Sequence, residues 1–242
     1  MVDQTTVASR PQFRTVRSRT ASPIGRVSTL DALVTTLRRQ ILEGAIPPGT
    51  HLAEVELAES HGVSRQSIRS ALAELVHVGI LQREPHRGVW VPVVTASRLR
   101  DLWWVRSIIE REALRRAMAA RDTEWSAVRA AVRAIADLTP SSSWADAVEA
   151  DMGFHRALVE ASRSSNLIRL QALLMGELSL ALAGNLNNEA PGYMSGEHAR
   201  LLDAFEHGDP DAAVARLEEH LQEGLDIGTR ARLVDDPAFE GV

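Results

Sequence analysis

Residues 62–81 read GVSRQSIRSALAELVHVGIL, and residues 86–91 read HRGVWV. Ser64 stands where a hydroxyl side chain caps a helix N-terminus, and beyond it Ile68, Ala71, Leu72, Leu75 and Val76 recur at the spacing of one helix face. Arg65, Gln66, Arg69 and Ser70 fall off that face, near its start. Upstream, the pattern predicts a short helix over about 54–60 that breaks at His61 and Gly62. Two short helices around a glycine turn suggest a helix-turn-helix, in which the off-face residues of the second helix enter the major groove of DNA. An amphipathic helix precedes both, marked by Leu30, Leu33, Val34, Leu37, Ile41 and Leu42, with Gly44 just past its end. After Gly79, β-prone stretches at 80–83 and 89–94 predict a hairpin, a wing. Its tip sets Arg87 beside Gly88, where a guanidinium can reach phosphate or the narrow groove.

The rest of the chain sets bounds on this reading. A length of 242 residues with 45% hydrophobic and 24% charged residues suits one large or two modest soluble domains. The absence of cysteine rules out disulfides and thiolate metal ligands and is compatible with a reducing cytoplasm, the expected location. No apolar run reads as long enough to span a bilayer, so no membrane partner is expected. Residues 1–26 carry Arg10, Arg14, Arg17, Arg19 and Arg26 against the single acid Asp3, and read as a disordered basic arm. The net charge of −5 conceals an asymmetry: residues 1–100 hold 13 Arg and 8 acids, and residues 101–242 hold 14 Arg and 24 acids. A basic head on an acidic body suits a protein that meets phosphate at one end only.

Helical periodicity continues over 96–118, 123–138, 144–161, 167–187, 195–207 and 210–228, with loop-like interruptions at 139–143 and 187–192. The expected fold is therefore mainly α: a winged helix-turn-helix over 27–94, a linker at 95–98, an antiparallel bundle of about six helices over 99–230, and a tail at 231–242. Within the bundle, Asp151 and His155 are four apart and share one helix face. His198 and His220 flank Gly208, Asp209 and Pro210, where Gly ends one helix, Asp caps the next and Pro suits its first turn. If those helices fold back on each other, each histidine lies about 16 Å from the turn at roughly 1.5 Å per residue, so both reach one level. A lone histidine in a bundle is ordinarily hydrogen-bonded core. Three histidines and one aspartate converging by independent spacings point instead to one divalent metal ion per chain. Imidazole and carboxylate donors suit zinc, nickel, manganese or iron. Coordination positions left open would let a small carboxylate effector complete the sphere.

Arg106 interrupts the apolar stripe of Leu99, Leu102, Ile109 and Ala113 and so needs an anionic partner, either an internal acid such as Glu110 or Glu177, or a ligand. Asn166 stands where it could cap the following helix. Trp103 and Trp104 cannot share a helix face, so one is expected in the core and the other at a domain or subunit contact.

The stretch at 62–81 followed by 86–91 resembles the winged helix of the GntR family of bacterial transcription regulators, and the resemblance extends over residues 27–94. It implies operator contacts from Arg65 and Arg69 on the recognition helix and from Arg87 and Gly88 on the wing. The chain departs from many relatives at Val55, Ser67 and Ser70, where they carry a basic residue, Pro and Glu. The helix order of the body, with EHARLLDAFEHGDPDAAVARLEEHL at 197–221, resembles the FCD ligand-binding domain of the FadR-like branch. That resemblance implies metal binding by Asp151, His155, His198 and His220, and an effector cavity faced by Arg106. The reading is a homodimeric repressor whose metal-containing bundle senses a small organic acid and alters its hold on double-stranded operator DNA. The competing class is a metal-dependent enzyme using the same three-His, one-Asp site. It lacks a general base beside the ligands and leaves the basic head unexplained.

Overall fold

The computed structural model describes residues 29–120, 122–183 and 193–230. The basic arm at 1–26, the tail at 231–242 and the loop at 187–192 lie outside the described residues.

The head is built from α1 (Thr29–Leu42), α2 (Glu54–His61) and α3 (Arg65–His77), followed by β1 (Gln82–Glu84) and β2 (Gly88–Trp90). Gly62 ends α2 in the left-handed conformation, φ 63°, that glycine adopts without strain. The Ser64 hydroxyl then caps α3 by accepting the Ser67 N–H at 3.0 Å. That bond needs an amide hydrogen at position 67, which the proline of many relatives would lack. Ile68, Ala71, Leu72 and Leu75 on α3 close over Leu33, Leu37, Ile41 and Leu42 of α1.

The wing is smaller than the sequence predicts. Ile80 and Leu81 are not strand: both amides donate to the Leu75 carbonyl, folding the exit of α3 into the core, where each side chain is 1% exposed. At the other end Pro92, which has no N–H, follows Val91 and helps to stop the ladder. The hairpin pairs Arg83 with Val89 at its centre, and the 49–52 segment joins its far side through Leu52 N–H to Val89 O and Val91 N–H to Thr50 O.

The body holds α4 (Ala96–Ala119), α5 (Ser126–Ala136), α6 (Trp144–Ala161), α7 (Ser165–Ala183), α8 (Tyr193–His207) and α9 (Pro210–Arg230), six helices among the described residues. Residues 95–98, read as a linker, are the N-cap and first turn of α4, with the Thr95 hydroxyl accepting the Arg98 N–H at 3.1 Å. A reciprocal capping box, Ser143 with Asp146, opens α6. Asn166 does not cap α7: the Ser164 hydroxyl takes that place on the Leu167 N–H, and Asn166 accepts from Arg169 instead.

Helix α4 is the central member, packing against α6, α7 and α9. Gly224 of α9 lets the ring of Trp103 approach to where a Cβ would lie 3.0 Å away, and the Trp103 indole donates to the Leu221 carbonyl. Helix α7 is the described helix whose length and composition would allow a bilayer crossing, contrary to the expectation that no run is long enough. It packs against α4, α6 and α1.

Head and body share one continuous apolar core. Across their junction Arg38 and Arg39 of α1 reach Glu149 and Asp146 of α6, at 2.6 and 3.5 Å. A close backbone approach lies between Gly176 in α7 and the turn at the end of α3, where a Cβ on Gly176 would stand 2.1 Å from the Val78 carbonyl oxygen and 2.6 Å from the Ile80 nitrogen.

Candidate metal centre and nucleic-acid interface

Helix α6 sets Asp151 and His155 one turn apart on its buried face. The turn at 208–210 brings the other two groups to the same level. Gly208 is required there because a Cβ would meet the Ala204 carbonyl oxygen at 2.5 Å. Asp209 then caps α9, its Oδ1 accepting the N–H groups of Asp211 and Ala212 at 3.0 and 3.1 Å. The resulting helix hairpin puts His198 of α8 and His220 of α9 beside α6. One donor atom from each of Asp151, His155, His198 and His220 lies within 4.8 Å of every other.

Three of the four are buried, His155 and His198 each 1% exposed and Asp151 6%, while His220 is half-buried. His198 Nε2 lies 3.1 Å and His155 Nε2 3.7 Å from Asp151 Oδ1, and the Nε2 atoms of His155 and His220 are 3.2 Å apart. Phe154 stands edge-on to His198, with ring centroids 4.6 Å apart, and forms part of the apolar wall. Burial pushes the Asp151 carboxyl up, but His155 and His198 outweigh it and hold the group well below the usual carboxylate range. His220 is driven well below the ordinary imidazole value by burial and by the neighbouring histidines, which favours its neutral form. Burial and Arg106 press the His155 value down, but Glu110 and Asp151 outweigh them and raise it, so a divalent cation, which needs an ionised carboxylate and imidazole lone pairs, would displace a proton from that ring. Oxygen and nitrogen donors without thiolate suit a borderline ion. The residues therefore fit the metal.

Behind His155 lies a further set of buried groups. Its Nδ1 is 2.7 Å from Glu110 Oε2, and Glu110 Oε1 accepts from Arg106 Nε at 2.9 Å and, at 3.4 Å, from Gln171 Nε2. Gln171 also donates to the His155 backbone carbonyl at 2.8 Å. Burial works against ionisation of Glu110, but His155 and Arg106 prevail and lower it. Of the two internal acids open to Arg106, the structure selects Glu110; Glu177 binds Arg98 instead. The Arg106 guanidinium also lies 4.8 Å over the Trp103 ring. The sequence marks Glu110 as a partner for Arg106, but not its contact with His155.

In the head, Arg65, Gln66 and Arg69 are all exposed on the first turns of α3. Arg69 does not stand free: Glu54 of α2 takes its Nε at 3.2 Å and its Nη2 at 2.8 Å. Arg87 projects from the wing tip, pairs with Glu84 at 3.2 Å and lies 4.9 Å over Trp90. Gly88 has φ +78°, and a Cβ there would come within 2.7 Å of His51 Nε2. The DNA-facing candidates and the metal candidates thus form two separate groups, one in solvent and one in the core.

Residues 29–91 match the profile of the bacterial regulatory proteins of the gntR family, and residues 101–223 match that of the FCD domain. A probable D-xylose utilization operon transcriptional repressor of Paenarthrobacter nicotinovorans is 28% identical, over 75% of this chain and 80% of its own length. An uncharacterized HTH-type transcriptional regulator of Mycobacterium tuberculosis is 30% identical, over 82% of this chain and 89% of its own. The crystal structure of a putative transcriptional regulator from Rhodococcus sp. RHA1 superposes with a TM-score of 0.68 at 24% identity, covering 84% of this chain and 98% of that one, which supports the fold. With a winged head and a helical body each matched in its own right, this chain belongs to the GntR family, in the branch that carries an FCD domain, and is a DNA-binding transcription regulator and not an enzyme.

Proposed function

We propose that the protein is a homodimeric, cytoplasmic repressor that releases operator DNA when a small organic acid enters a metal-containing cavity in its bundle. The observation that carries this reading is the convergence of Asp151, His155, His198 and His220 inside a body that shares one core with the DNA-binding head. These four residues hold one divalent ion, and a carboxylate effector occupies coordination positions left open. Arg106 reaches the centre through Glu110, which it binds at 2.9 Å and which contacts His155 at 2.7 Å, and this placement supports its role as the second grip on an anion.

Arg65, Gln66 and Arg69 read the major groove, and Arg87 and Gly88 follow the backbone or the narrow groove. A homodimer presents two such heads to a palindromic site. Trp104 at 65% exposure and Leu173 at 61%, with Ile108 and Leu170, give α4 and α7 an outward apolar face suited to a second copy. Repression is supported by the name of the Paenarthrobacter relative.

The test is effector-dependent release of operator DNA by metal-loaded protein, screened over small organic acids by thermal shift and then by gel shift. Arg106→Met made together with Glu110→Gln, so that no buried charge is stranded, should keep operator affinity at saturating metal while abolishing the response. A response of unchanged affinity in that variant places the pocket elsewhere, and equal metal in wild type and a His198→Ala, His220→Ala double variant shows the metal site to be misassigned.

A further inference from the structure

We infer that Glu110, clamped by Arg106 and Gln171, is the positioning residue of the metal centre, fixing which nitrogen of His155 faces the other three ligands. The inference rests on the metal reading above and adds to it a group that is not itself a ligand.

A carboxylate can only accept. The 2.7 Å contact from Glu110 Oε2 therefore places the ring hydrogen of a neutral His155 on Nδ1 and leaves the lone pair on Nε2. Nε2 is the atom that faces Asp151 and His220. An imidazole with its far nitrogen held in this way is oriented and made a better donor.

The carboxylate is fixed in turn. Its other oxygen accepts from Arg106, and Glu110 and Arg106 are 0% and 1% exposed, so the pair is sealed from water. Gln171, 2% exposed, reaches both Glu110 and the backbone carbonyl of His155, so α4 and α7 hold this ligand at its ring and at its main chain. Neither helix contributes a ligand of its own. Arg106 thereby acquires a second role, neutralising the buried acid that positions the histidine.

The experiment compares wild type with Glu110→Gln and with the double variant Arg106→Met, Glu110→Gln, which removes both charges together and keeps the pocket neutral should the single variant fail to fold. Zinc affinity is measured by competition with a chromophoric chelator, and the His155 tautomer by nitrogen shifts in metal-free protein labelled at histidine, at a pH where the ring is neutral. The expected result is the Nδ1–H tautomer in wild type, its loss or mixing in the double variant, and about 10- to 100-fold weaker zinc binding with the fold retained. A purely structural ion pair predicts unchanged zinc affinity in the double variant, and that outcome overturns the inference, as does an Nε2–H tautomer in wild type. If wild type binds none of zinc, nickel, manganese and iron, the metal reading fails, while the tautomer still decides the role of Glu110.

Discussion

In the head, Arg65, Arg69 and Arg87 stand in solvent, and the two that pair do so with acids at the surface, Glu54 and Glu84. In the bundle, Asp151, His155, His198, Glu110 and Arg106 are all buried, each within reach of another charged or polar group. The head keeps its proposed DNA contacts apart from its stability, because an exposed charge can be removed without leaving a desolvated partner. The bundle cannot separate them. Each buried charge there is both part of the site and part of the fold.

The contrast is sharpest at Glu110. Glu110→Ala strands the Arg106 guanidinium in the core, and loss of one partner from a buried pair costs about 3–5 kcal/mol. Urea unfolding reads it, and a midpoint equal to wild type breaks the contrast at its strongest point. Metal removal comes next. A ligand that binds only the folded state contributes roughly 4 kcal/mol when present at a thousand times its dissociation constant, so a chelator should lower the melting temperature of wild type. The His198→Ala, His220→Ala variant should not respond to the chelator.

A smaller effect is expected where the two regions meet. Gly176→Ala drives a methyl group against Val78 and Gly79, and such overpacking costs about 1–3 kcal/mol. Gly153, also inside a bundle helix, has nothing within 4 Å of its would-be Cβ, so Gly153→Ala should be neutral or stabilising by up to about 1 kcal/mol through helix propensity. Equal destabilisation by both substitutions would mean that the head does not bear on α7.

The smallest stability changes belong to the head. Arg65→Ala should alter unfolding by no more than about 0.5 kcal/mol. It should nonetheless weaken specific operator binding roughly 5- to 100-fold, as loss of a bidentate base contact does. Arg87→Ala should weaken binding evenly across sequences and reduce the salt slope by about 1, the signature of a phosphate contact. A gel-shift titration over salt concentration measures both, and a large fall in melting temperature for either variant would erase the distinction between the regions.

Several parts of both regions were legible before any fold was known. The buried stripe and serine cap of α3, the bounds of α6 and the turn at Gly208, Asp209 and Pro210 follow from local rules, and the structure reproduces them. Other parts misled. Residues 80 and 81 carry β-prone side chains, yet the exit turn of α3 claims their amides. Asn166 has a capping side chain, but Ser164 lies nearer the chain reversal and takes the role.

The sequence by itself determined what a helix period and a turn can determine. Two candidate ligands one turn apart, and two at equal distances from a cap, meet at one level because the rise per residue is the same in every α-helix. Which groups lie behind those ligands was decided only by tertiary packing. Glu110 and His155 are 45 positions apart, and Gln171 and Glu110 are 61 apart. Their meeting depends on how α4, α6 and α7 cross, which no local spacing encodes. The same holds for Glu54 against Arg69 and for Gly176 against the end of the recognition helix. Each is a contact between faces whose partner is chosen by the packing of whole helices.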